Sequence, residues 1–230
     1  MFDLIRLEWK KNKAKGYIVK ASITILLLTA LVLPIAYEDV EETDKSISGR
    51  DTITMTVDTF SEMGFIVFSG VMLSSFIVSN YKNRTMELMF TYPIKRKKIL
   101  ASKILSVGIF NFTGLVIAKL FMYGLLLFFS KYKEFSYPAR YDMASFLFYV
   151  DVIVRSFSTV CISFIALFVG MKLMSSKATI ITSFLLFTLL QGQIGDFTLS
   201  DNIVLPLILA FVGLVIAVLS IRKVESKDLI

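Results

Sequence analysis

The sequence predicts an all-α, multi-pass membrane protein with six transmembrane helices and both termini on the cytoplasmic side, and three observations carry that expectation. Hydrophobic residues make up 56% of the 230-residue chain. The mean hydropathy is +0.73, well beyond what one soluble core requires. Six long apolar runs cross the chain, most of them near the roughly 20 residues that a helix needs to span a bilayer. The charges between the runs alternate in sign. Residues 1–20, 80–103, 171–178 and 222–230 together hold 18 Lys/Arg and 5 Asp/Glu, whereas 38–62, 130–145 and 196–202 hold 5 and 12. An excess of Lys and Arg on one set of loops is the positive-inside pattern.

Residues 1–230 read as a single transmembrane domain with spans at about 17–37, 63–80, 104–129, 146–171, 179–195 and 203–222. The first run starts near Gly16, is too long for a signal-peptide core and lacks a small-residue cleavage pattern, so it is expected to be a retained anchor. The second and fifth runs are short, which leaves the count at five or six, and six fits the charge pattern. Ahead of the first span, residues 1–16 place Phe2, Ile5 and Trp9 on one helical stripe beside Arg6, Lys10, Lys11, Lys13 and Lys15. That mixture suits a helix lying in the cytoplasmic headgroup layer, although Leu4 and Leu7 fall off the stripe. The acidic stretch 38–62 reads as an outer loop or short helix.

A net charge of +7 raises nucleic acid as a partner, but the basic residues cluster at span ends, where anionic headgroups attract each by about 1 kcal/mol. Membrane lipid is therefore the expected partner, and nucleic acid is not. With no histidine and one cysteine, Cys161, the chain has neither His-based catalysis nor a His metal site, and no intrachain disulfide. No metal and no cofactor are expected on it. The phosphate-cradling sequence G-x-x-x-x-G-K-[ST] is absent as well, so any ATP and Mg would belong to another polypeptide.

The connection 80–103 carries the most information. Asn83 or Thr85 can cap a short helix with Glu87 in its first turn, where a carboxylate meets the positive helix end, and Pro93 stops that helix before a basic run. Met86, Met89 and Phe90 are then left as apolar knobs. Docking into a groove on a cytoplasmic partner would bury them; an interfacial hairpin dipping them into lipid is the alternative.

The order RTMELMFTYPIKRKKILASK over residues 84–103 resembles the ABC transporter type 2 permeases, in which a Thr-x-Glu-Leu stretch, a Pro and a basic run ending in Lys precede the third span. The resemblance extends to the whole layout of basic start, six spans and this loop. It implies that the short helix is a coupling helix seated in a cleft of a separate ATP-binding subunit. Thr85, Met86, Glu87, Leu88, Met89, Phe90, Pro93 and Arg96 would carry the contact. It further implies two permease chains, identical or homologous, assembled with two ATP-binding subunits in a bacterial cell membrane. Small permeases of this kind resemble those used for antimicrobial-peptide export and immunity. In such permeases a re-entrant outer element joins the last two spans.

Three charges fall well inside the apolar runs rather than at their ends: Lys119 in the third, and Asp151 and Arg155 four residues apart in the fourth, on one helical face. A Lys119–Asp151 pair across adjacent helices is feasible. These residues either line an outward-opening path for a charged or amphipathic substrate or pair locally and snorkel. Gln191 and Gln193 interrupt the fifth run as a broken or re-entrant helix would, and are further candidates for the path. Gly70 with Ser74, and Gly213 with Ala217, are small-residue pairs expected to pack within the chain.

Two function classes compete: the membrane subunit of an ATP-driven exporter of an amphipathic or hydrophobic substrate such as a peptide, and a scaffold or sensor without transport. A membrane enzyme is poorly supported, since no nucleophile stands beside a base and no carboxylates pair at helical spacing within the predicted spans.

Overall fold

A computed structural model describes residues 2–12, 14–38, 52–83, 96–132, 145–194, 197–198 and 204–226. In chain order the elements are α1 (Phe2–Lys11), α2 (Ala14–Glu38), α3 (Thr52–Leu73), a π-helical turn (Ser74–Val78), α4 (Ser79–Lys82), α5 (Arg96–Tyr132), α6 (Phe146–Lys172), α7 (Ser176–Leu190), β1 (Gln193–Ile194), β2 (Phe197–Thr198) and α8 (Val204–Ser226). Among the described residues, five helical stretches are long and apolar enough to cross a membrane: Lys15–Ile35, Ile53–Lys82, Lys97–Phe129, Phe146–Lys172 and Val204–Arg222. The chain is a multi-pass helical membrane protein. α7, at 15 residues, is shorter than these five.

The bundle is organised around two central helices. The stretch 53–82 and α6 are each 67% buried over their most apolar window, whereas α2, α5 and α8 are 22–28% buried there and turn Leu26, Ile117 and Phe211 outward. An apolar exterior of this kind is stable only against lipid or another apolar surface. The main core cluster joins Met72, Phe76 and Val78 to Leu100 and Val107 of α5 and to Val160, Phe164 and Leu167 of α6.

Small residues set the closest approaches. A Cβ at Gly213 on α8 would lie 2.0 Å from the Cys161 carbonyl oxygen of α6, and one at Gly70 would lie 2.3 Å from the Ser183 hydroxyl of α7. Ser74 donates to the Ser176 carbonyl at 3.2 Å, and Ala217 sits in the main core. Both small-residue pairs thus pack inside the chain, where contact without a side chain lets backbones touch. α6 and α7 form a tight hairpin: Met174 takes a left-handed φ of 49°, the Ser175 N–H bonds the Gly170 carbonyl at 3.2 Å, and the Ser175 hydroxyl accepts from the Ala178 N–H.

Four expectations change. The second long helix begins at Thr52, so residues 52–62 belong to that helix rather than to an outer loop or a separate short helix; the run ITMTVDTFSE reads as polar because Asp58 and Glu62 interrupt it. The fifth run stops being helical at Leu190, and Gln193 and Ile194 pair with Thr198 and Phe197 as a two-residue antiparallel ladder rather than continuing as a broken helix. α1 does not offer its whole apolar stripe to headgroups, because Ile5 and Glu8 are buried while Leu7 is exposed. The third is a longer helix than its apolar core, starting at Arg96. Phe2 and Lys13 side chains, and the loop 84–95, lie outside the described residues.

Candidate functional site

Two lysines on α5, 16 residues and therefore about 24 Å apart along the helix, are both fully buried, and each organises a polar centre. Lys119 lies where α3, α5 and α6 meet. Its ammonium reaches Asp58 Oδ1 at 2.8 Å and Glu62 Oε1 at 3.1 Å, both carboxylates standing on one face of α3 at helical spacing. Arg155 of α6 donates through Nε to both Asp151 oxygens at 3.0 Å and approaches Asp58 Oδ2 at 3.9 Å. The result is a chain of alternating charge, Glu62–Lys119–Asp58–Arg155–Asp151, running across three helices.

Apolar layers bracket this chain. On one side stand Val57, Met122, Tyr123 and Val152, with Tyr123 edge-on to Phe148 at 5.0 Å between ring centres; on the other stand Phe65, Leu115 and Ala118. Charges held away from water survive only when each has an opposite partner, since removing an ion from water costs several kcal/mol. Lys119 meets this condition with two carboxylates.

A cleft opens beside the charges between α3, α6 and α8. Glu62, Arg155, Ser158 and Thr159 form its polar wall, and Val154, Ile162, Leu190 and Leu207 form its apolar wall, around a cavity of about 20 Å³, room for about one water molecule.

Lys103, at the other end of α5, forms the second centre. Its ammonium donates to Glu8 Oε2 of α1 at 3.0 Å and to the Phe76 carbonyl in the π turn at 3.1 Å. Asn80 Nδ2 also donates to that carbonyl, at 2.6 Å, and Asn12 Nδ2 donates to Glu8 Oε2 at 3.1 Å. Trp9 Nε1 donates to the Ser106 carbonyl at 3.4 Å, so α1 is tied to α5 on two successive turns. Residues 84–95 connect the two helices that Lys103 joins.

Of the residues singled out from the sequence, Lys119, Asp151 and Arg155 come together in the first centre, but Lys119 pairs with Asp58 and Glu62, and Asp151 pairs with Arg155. Gln191 ends α7 next to Leu190 of the cleft, with its N–H on the Phe187 carbonyl at 3.0 Å, and Gln193 lies in β1. Thr85, Met86, Glu87, Leu88, Met89, Phe90 and Pro93 lie outside the described residues, and Arg96 is the first residue of α5. The sequence reading missed Asp58, Glu62, Glu8 and Lys103. Asp58 and Glu62 do pair at helical spacing inside a span, contrary to expectation. Their signal was four-residue spacing in step with Val57, Ser61 and Phe65, all buried. Among the described residues no group of three or more His, Cys, Asp or Glu is placed to hold a metal ion.

The chain is 29% identical over 226 residues to the uncharacterized protein YcbO of Bacillus subtilis (strain 168), the match spanning 98% of this chain and 99% of that one. No protein-family description and no solved structure matches it.

Proposed function

We propose that this chain is the membrane-spanning permease subunit of an ATP-driven ABC exporter in a bacterial cell membrane. It moves an amphipathic or hydrophobic substrate, a peptide being the foremost candidate, and works as one of two permeases paired with two ATP-binding subunits. Six spans, with α7 as the fifth, put both termini in the cytoplasm. The chain itself is not an enzyme; ATP and Mg act on the partner subunit, which docks on residues 80–103.

The observation that carries this reading is the linkage at Lys103. The loop with Glu87, Met89 and Phe90 joins two helices whose ends, together with α1, are held as one unit by a buried ammonium. Force applied to the loop therefore reaches α1, α3 and α5 together. ATP binding can do work on the membrane part only if the partner contacts it differently in its two states. A path opened along the divided cleft beside Glu62 and Arg155 would give an amphipathic substrate one polar and one apolar wall. Asp151, Lys119, Gln191 and Gln193 belong to the same outward region of the path.

The test is co-purification. The tagged chain, purified from the membranes of its own host, is expected to retain an ATP-binding subunit. Glu87→Lys combined with Met89→Ser and Phe90→Ser should release it while membrane insertion is unchanged. Retention of the subunit with full ATPase stimulation after these changes places the docking elsewhere. A chain that inserts, binds no ATP-binding subunit and transports nothing is a scaffold or sensor.

A further inference from the structure

Val71 and Val78 are seven residues apart, which in an unbroken α-helix is nearly two whole turns and puts both side chains on one stripe. Val71 is 39% exposed and Val78 is 0% exposed. The π turn between them accounts for the difference. One extra residue per turn, marked by the Ser79 N–H reaching back five residues to the Ser74 carbonyl, turns everything beyond it by about 100°. That rotation buries Val78 in the main core and fixes which way α4 faces.

A widened turn loosens the backbone ladder, and within an apolar bundle the carbonyls it exposes need donors from elsewhere. Phe76, at the middle of the turn, has two such donors, Asn80 Nδ2 and Lys103 Nζ. Asn80 lies on the same helix and follows the turn wherever it goes. Lys103 comes from α5 and is itself held by Glu8 of α1, so it is the element that ties the turn's register to the rest of the bundle.

We propose that Lys103 is a positioning residue that holds the second span in its π register through the Phe76 carbonyl, so that α1 docking and the rotational setting of α4 are coupled. Release of Lys103 lets the turn relax to α geometry and rotates α4 by about 100° with a shift of about 1.5 Å. The register stands on its own geometry, whereas its use in coupling rests on the permease reading, so the two can fail separately.

The experiment uses the full chain in lipid nanodiscs with Cys161→Ala and one introduced cysteine, Val78→Cys, reacted with N-ethylmaleimide. In the parent, labelling at position 78 is expected to be at background level. Lys103→Met should raise its rate at least tenfold as the side chain turns out of the core. A second variant guards against simple loss of fold: Glu8→Lys with Lys103→Glu keeps an ion pair to hold α1 but sets a carboxylate against the Phe76 carbonyl. It should raise labelling at 78 while Trp9 stays as protected from quencher as in the parent. Unchanged labelling at position 78 in both variants overturns the proposal. Equal rises at position 78 and at a deep core control, Leu115→Cys, report general unfolding and also overturn it.

Discussion

Lys119 of α5 and Asp58 of α3 stand 2.8 Å apart with the lysine wholly buried and the aspartate side chain 10% exposed. Glu62, one helical turn on, takes the same ammonium. This contact welds the second and third spans at one end, as Lys103 does at the other.

Breaking a buried ion pair by removing one partner leaves uncompensated charge and costs about 3–5 kcal/mol. Lys119→Met is therefore expected to lower the thermal unfolding midpoint sharply in nanodiscs. Adding Asp58→Asn and Glu62→Gln to Lys119→Met should recover most of the loss, because no orphaned carboxylate then remains. A triple variant no more stable than the single one would show that shape, not charge, governs this centre.

The chain has one tryptophan, Trp9, and it reports directly on α1. Glu8→Gln weakens the hold of Lys103 and should increase quenching of Trp9 fluorescence by acrylamide about twofold or more, with helix content unchanged by circular dichroism. Identical quenching would mean that Ile5 and the Trp9–Ser106 bond suffice to dock α1.

Glycine positions differ in what they touch, and the cost of filling them should follow. At Gly213 a new Cβ meets the Cys161 backbone carbonyl at 2.0 Å, which moves only if two helices separate. At Gly64 it meets the end of the Leu28 side chain at 2.5 Å, which can change rotamer. Gly213→Ala is expected to destabilise by about 1–3 kcal/mol, and Gly64→Ala by clearly less, in parallel thermal unfolding.

Met174 is half exposed and sits at positive φ in the α6–α7 turn, a conformation that costs a β-carbon-bearing residue about 1 kcal/mol. Met174→Gly should stabilise the chain slightly, by up to about 1 kcal/mol at the unfolding midpoint, and raise that midpoint accordingly. A fall would show that Met174 contributes packing that its exposure does not reveal.

Much of the helical layout was legible because lipid imposes a length and a composition on whatever crosses it. The runs beginning at Phe146 and near Val204 were placed within a residue or two, since Ser145 and the polar stretch before α8 bound them sharply. What stayed hidden follows one rule: polarity was taken as a sign of water. Asp58 and Glu62 were assigned to an outer loop or short helix, and Glu8 to a headgroup-facing helix, although each is buried against a lysine from a distant part of the chain. Pairings 57 and 95 residues apart leave no mark in local periodicity. The π turn was equally invisible, because SSFIV has no feature that distinguishes it from α-helix; the offset shows in the Ser79 N–H bond back to the Ser74 carbonyl and in the burial of Val78.

The proposed docking of an ATP-binding subunit on residues 80–103 is tested most directly by a photo-crosslinking amino acid at position 89 in the tagged chain within native membranes. A covalent adduct that mass spectrometry identifies as a subunit with a phosphate-binding loop, formed at position 89 and not at the outward-facing Phe211, is the predicted result. Crosslinking at position 89 only to lipid, or labelling of that position from outside intact cells, would contradict the account.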